Sequence, residues 1–201
     1  MRGDMTFDAV ILAGGKSTRM GRDKALIQVN GQTLLARQIE LAQQAGASEI
    51  FISGRPDTDY SALGCRVLKD EFPDAGPLAG IERALATATR QLLLVLAVDL
   101  PGMKANLLRK LLAECSGNCG AIPCNGSEIE PLAAFYPKTA HSLSLQLLAQ
   151  NVFVVKRFTE ACVKSRLAKF IDLPTEDAEY FVNWNTPDDL SELTVAKDAT
   201  V

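Results

Sequence analysis

The 201-residue sequence predicts an α/β domain built on a mostly parallel, doubly wound sheet, and three features predict it. Short apolar runs after Asp8 and at 92–98 have the length and content of buried strands, and 49–53 and 65–68 read as strands between them. Segments with helical apolar spacing lie between them, and strands alternating with helices give a parallel sheet covered on both faces. The loops that follow Leu12, Ser53, Leu68 and Val98 gather glycines, carboxylates and cations. In such a sheet, ligands bind beyond the carboxyl ends of the strands.

The first strand breaks at Gly14-Gly15 into a polar loop carrying Lys16, Arg19, Arg22 and Lys24. Adjacent glycines let backbone approach a ligand, and cations beside them suit a phosphate-bearing molecule. Two familiar phosphate loops are excluded. Gly15-Lys16-Ser17 ends like a Walker A loop, but Val10 stands where its first glycine belongs. The dinucleotide fingerprint fails because the glycine after Gly15 is Gly21.

Further along, 25–29 is a short apolar piece closed by Asn30-Gly31, and Thr33 caps a helix ending at Gly46. A second helix starts at Pro77, inside Gly76-Pro77-Leu78-Ala79-Gly80, whose N–H groups would face the cleft. Gly80 is therefore counted with the nucleotide-binding residues. The 92–98 run is the strongest strand, and a helix follows at 104–114. The second half is less regular: strands at 121–123, 132–136, 170–173 and 180–183, helices at 142–150 and 153–164, and a terminal helix opening at Thr186-Pro187. No repeat or low-complexity linker divides the chain, so residues 1–201 are read as one domain.

A net charge of −3 argues against a nucleic-acid partner, and no apolar run is long enough to span a membrane. Asp4 and Asp8 argue against a signal peptide, and the expected location is the cytoplasm. The five cysteines have neither disulfide-framework nor zinc-knuckle spacing and read as reduced, structural thiols. The single His141, among leucines of a helix, reads as a packing or solvent-facing residue rather than a catalyst.

Asp99 is the first carboxylate to single out. It ends an apolar strand at the ligand edge, where a hard carboxylate suits Mg²⁺ shared with substrate phosphates. Opening a turn before Pro101 explains it equally well. Asp70 ends the preceding strand in a comparable way. Asn183 and Asn185 would share one side of an extended segment and read polar edges of a heterocycle.

Assembled, these residues resemble the molybdenum cofactor guanylyltransferases. The resemblance rests on Leu12-Ala13-Gly14-Gly15-x-Ser17-x-Arg19-Met20-Gly21-x-Asp23-Lys24, then Asp70 ahead of Gly76-Pro77-Leu78-Ala79-Gly80. It continues with Val98-Asp99-Leu100-Pro101, Glu130-Pro131-Leu132-Ala133-x-x-Tyr136 and Asn183-x-Asn185-Thr186-Pro187-x-Asp189-Leu190. It implies a single three-layer Rossmann-like nucleotidyltransferase domain, with a nucleotide-binding half at 8–115 and an acceptor-binding half at 116–190. It implies transfer of GMP from Mg·GTP to the terminal phosphate of molybdopterin cofactor, with release of pyrophosphate. Transient contact with cofactor-delivering or molybdoenzyme-maturation proteins is expected too.

By that resemblance, Leu12, Ala13, Gly14 and Ser53 contact the guanosine, and Gly15, Arg19 and Lys24 surround the triphosphate. Asp70 contacts the nucleotide, Asp99 holds Mg²⁺, and Asn183 and Asn185 lie on the pterin side. Arg19, Lys24 and Asp99 form the catalytic set. Ser53 stands where the family often has asparagine, and Lys156 or Arg157 stands in for a pterin-side arginine. A CTP-using relative and a sugar-phosphate nucleotidyltransferase remain as alternatives, although Gly14-Gly15 favours a purine. A non-catalytic nucleotide-binding module is the alternative of another class, against which Lys24, Asp70 and Asp99 stand together.

Overall fold

A computed structural model describes residues 5–14, 23–126 and 128–181. Its first strand, β1 (Phe7–Leu12), is buried along its whole length. Alternate side chains of a strand point to opposite faces, and here both faces are covered. Phe7, Ala9 and Ile11 enter one core with Leu34, Leu35, Leu107 and Leu108, while Val10 enters a second with Leu78, Ile81, Leu148 and Phe158. Helices α1 (Leu34–Ala45) and α3 (Ala105–Glu114) thus cover one face. On the other lie α2 (Pro77–Thr87), α4 (His141–Ala149) and α5 (Val155–Lys164).

The main sheet has the order β5-β4-β1-β6-β9. Strands β4 (Ile50–Ser53), β5 (Arg66–Leu68) and β6 (Leu92–Ala97) run parallel to β1, and β9 (Ala133–Pro137) pairs antiparallel with β6. A short hairpin, β2 (Gln28–Val29) and β3 (Gln32–Thr33), turns at Asn30-Gly31. A second sheet joins β10 (Ala168–Asp172), β7 (Gly120–Asn125) and β8 (Glu128–Ile129) in that order, with β10 parallel to β7.

Local signals explain the boundaries. The Thr33 hydroxyl accepts from the Ala36 N–H at 3.1 Å and starts α1, and Gly46 ends it at φ 100°. At the start of β1, buried Asp8 accepts from the Thr89 and Arg90 N–H groups at 2.7 and 3.0 Å. That carboxylate pins the turn leading into β6.

The strand expected at 180–183 is a correction. Tyr180 and Phe181 close the 3-10 turn Thr175–Phe181, which starts after Pro174 with the Asp177 N–H bonded to the Pro174 carbonyl at 2.9 Å. Asp177 pairs with Lys110 of α3 at 3.5 Å, so Phe181 reaches the core from a helical turn rather than a strand. Residues 182 and 183, and the helix expected after Thr186, lie outside the described residues.

The two sheets meet where β7 lies against β9. A Cβ built on Gly120 would overlap the Phe135 carbonyl, which is backbone and has no room to yield. Gly120→Ala should therefore destabilise by about 2–3 kcal/mol, lowering the melting temperature by roughly 5–10 °C. A thermal melt checks this; an unchanged midpoint would show that β7 and β9 can separate freely.

Candidate active site

Register brings the expected loops together. Leu12 stands opposite Ser53 on one side and Ala97 on the other, and Ser53 stands opposite Leu68. The strands therefore end level. Beyond them the Ser53 carbonyl accepts from the Ala13 and Gly14 N–H groups at 2.8 and 3.1 Å, and the Val98 N–H reaches the Leu12 carbonyl at 3.2 Å. Two cavities open at this edge. One of about 190 Å³ is lined by Asp23, Lys24, Val98, Asp99 and Leu132, and one of about 700 Å³ by Ser53, Gly54, Arg55, Asp70, Phe72 and Gly76. Leu12, Gly14 and Pro77 line both, so they form one cleft.

In the smaller cavity the Lys24 ammonium lies 3.3 Å from Asp99 Oδ2. Both side chains are partly buried, which strengthens their attraction relative to a surface pair. Among the described residues no group of three or more His, Cys, Asp or Glu side chains could hold a metal by itself. A lone, partly exposed carboxylate fits a cation such as Mg²⁺ that takes its remaining ligands from phosphates and water. Asp99 and Lys24 thus set one carboxylate beside one ammonium at the cleft edge.

In the larger cavity Asp70 faces Ser53, whose hydroxyl donates to Asp70 Oδ1 at 3.5 Å. Burial raises the Asp70 pKa above its ordinary value of 3.8; the Ser53 hydrogen bond opposes this, and the charge of Glu82 adds to it. The start of α2 faces the same space. Gly76 caps it at φ 67° and ψ −155°, a conformation open mainly to glycine, and makes no side-chain capping bond. Helix dipole and backbone N–H groups then favour an anion there. Gly80 is buried one turn below, where a Cβ would overlap the Ser53 hydroxyl. It lets α2 close against Ser53.

Gly15, Arg19, Asn183 and Asn185 lie outside the described residues. Lys156 and Arg157 are exposed in the first turn of α5, where Arg157 pairs with Glu160 at 3.2 Å, and neither lines the two cavities. His141 sits 2.7 Å from Glu82 of α2, behind the cleft. The thiols of Cys115 and Cys162 are pushed up to about 12 by burial, which keeps them protonated.

Comparisons with known proteins agree with this architecture. The family described as MobA-like NTP transferase domain matches residues 9–164. A protein of Opitutus terrae named "Probable molybdenum cofactor guanylyltransferase" is 38% identical over 182 residues, covering 89% of this chain and 90% of that one. The molybdenum cofactor guanylyltransferase of Xanthomonas euvesicatoria is 36% identical, covering 92% of each. The chain belongs to the MobA-like molybdenum cofactor guanylyltransferase family. The crystal structure of molybdopterin-guanine dinucleotide biosynthesis protein A from Archaeoglobus fulgidus shares the fold, with a TM-score of 0.76 at 22% identity over 96% of this chain and 100% of that one.

Within this family member, some cleft residues were not visible as site residues in the sequence. Phe72 puts an aromatic face in the larger cavity, and Arg55 lines its wall while pairing with Asp57 at 3.4 Å. Tyr136 explains the Pro131–Tyr136 spacing, because its buried hydroxyl donates to the Pro131 carbonyl at 3.0 Å. Arg55 and Phe72 lie in loops, where no periodicity marks them.

Asp70 yields a pH prediction. A carboxyl whose folded pKa is raised binds more protons folded than unfolded above pH 3.8, so stability falls as pH rises through the folded pKa. Asp70→Asn removes that cost. The variant should melt higher than the parent at pH 7, with the difference closing as pH is lowered towards 3.8. A lower melting temperature for the variant at pH 7 would contradict a burial penalty on Asp70.

Proposed function

We propose that the chain transfers GMP from Mg·GTP to the terminal phosphate of molybdopterin cofactor, forming the guanine dinucleotide cofactor and pyrophosphate. The observation that carries the reading is the Lys24–Asp99 pair, which lines a small cavity continuous with a larger one of nucleotide scale. Family membership supplies the identity of the two substrates. The guanosine occupies the larger cavity against Leu12, Gly14 and Ser53, reaching Ala13 where the smaller cavity begins, with Asp70 on the nucleotide and Gly80 beneath Ser53. The triphosphate lies towards Gly15, Arg19, Lys24 and Asp99. Asn183 and Asn185 take the acceptor, so that 8–115 serves the nucleotide and 116–190 the pterin.

An acceptor phosphate oxygen attacks the α-phosphorus, a new phosphoanhydride bond forms, and the bond to the leaving pyrophosphate breaks. The attacking group is already an anion, so no imidazole is required, and positioning with charge neutralisation does the catalytic work. Asp99 would hold Mg²⁺, which would supply charge neutralisation at the phosphates. Asp99 orients that cation, and Lys24 and Arg19 offset charge on the α-phosphate and leaving group. A cytoplasmic enzyme meeting cofactor-delivering proteins transiently fits this role.

Thermal stabilisation by each nucleoside triphosphate, with and without Mg²⁺, tests the assignment, because a ligand binding only the native state raises the midpoint. GTP with Mg²⁺ should give the largest shift; selective stabilisation by CTP would sink the guanine assignment. Asp99→Asn should abolish metal-dependent transfer while the protein stays folded, and near-normal turnover would remove Asp99 as the metal ligand. Lys24→Ala should lower kcat/KM by about 10²–10³-fold, as the loss of one preorganised charge does elsewhere. An unchanged kcat/KM would exclude Lys24 from the site.

A further inference from the structure

Asp23 precedes Lys24 in the chain, yet its carboxylate is committed elsewhere. Oδ1 accepts from the Ala25 N–H at 3.0 Å and caps the 3-10 turn Lys24–Leu26. Oδ2 accepts from the Tyr60 hydroxyl at 2.7 Å and from the Thr58 hydroxyl at 3.1 Å. Tyr60 lies 37 residues away in sequence and is 2% exposed. Its ring packs under Gly54, where a Cβ would strike it, and its oxygen also accepts from the Arg55 N–H at 3.1 Å. One phenol therefore joins the wall of the larger cavity, at Gly54 and Arg55, to the turn that carries Lys24 in the smaller one. Packing alone would need only a phenylalanine ring. The hydroxyl is protonated, because burial raises its pKa, and it donates to a carboxylate, which makes the bond charge-assisted.

We propose that Tyr60 and Asp23 are positioning residues that hold the Lys24 turn against the nucleotide's phosphates, coupling the base-side wall to the phosphate clamp. The inference rests on the nucleotide reading of the cleft. With both carboxylate oxygens tied to the framework, Asp23 fixes the turn from which the Lys24 ammonium reaches Asp99.

The test compares the affinity for GTP with that for GMP, by calorimetry with Mg²⁺, in the parent, Tyr60→Phe, Thr58→Val and Lys24→Ala. Tyr60→Phe keeps the ring and should weaken GTP by about tenfold while changing GMP by less than about twofold, moving the ratio towards that of Lys24→Ala. Thr58→Val, which removes the longer bond and leaves the ring in place, should move the ratio the same way by a smaller factor. Equal weakening of both ligands would reduce Tyr60 to a wall of the base cavity, and no change in either would make the bond incidental. Both results overturn the proposal. A parent that binds CTP instead of GTP overturns the guanine reading alone, since the CTP-to-CMP ratio then carries the same comparison.

Discussion

The register of β1 against its two neighbours is the constraint on which the site depends. Both faces of β1 are buried, so a slip of one residue would send Val10 and Leu12 into the core built for Ala9 and Ile11. The strand is also held at each end. Asp8 ties its start to the turn before β6, and the Leu12 carbonyl takes the Val98 N–H at its finish. With β1 and β6 locked level, Asp99 emerges two residues beyond Ala97, in the cavity that Gly14 and Lys24 also line. The Lys24–Asp99 pair is a consequence of packing well below it.

The cleft combines rigid apolar support with charges that have partners before any phosphate arrives. Lys24 and Asp99 pair across the smaller cavity, where partial burial strengthens their attraction. Asp70 is held in a less favourable state, its charge disfavoured by burial. Helix α2 links these regions: its glycine-capped start faces the cleft, and further along it buried Glu82 meets His141 from α4. The one histidine of the chain is thereby used in helix-to-helix contact. That agrees with a transfer whose nucleophile is already ionised.

What the sequence made legible is what local chemistry determines. Thr33, Gly46 and Pro77 mark helix ends through capping and backbone geometry, and the apolar runs of β1, β4 and β6 mark strands because both their faces are buried. Asp99 stood out because it follows the buried run of β6 at the sheet edge, whereas the strand before Asp70 is buried only at Leu68. Tyr180 and Phe181 misled: an apolar aromatic pair has no periodicity of its own, and the turn after Pro174 with its Asp177–Lys110 pair decided the conformation. Asp23 was legible as part of a motif, but its work was not. Its partners Thr58 and Tyr60 come from another loop, and no local pattern announces a contact across 37 positions.

Gly80 shows how a motif position and its physical reason can differ. Read in sequence, a glycine one turn into a helix beside a cleft suggests backbone offered to a ligand. In the fold it is buried, and the space its missing side chain leaves is taken by the Ser53 hydroxyl. Ser53 in turn carries the Ala13 and Gly14 N–H groups on its carbonyl and reaches Asp70 with its hydroxyl. A larger residue at position 80 would thus push on Ser53 first, and through it on both the glycine loop and Asp70. The anchoring of Ala13 and Gly14 and the close packing of α2 on the sheet therefore meet at a single serine.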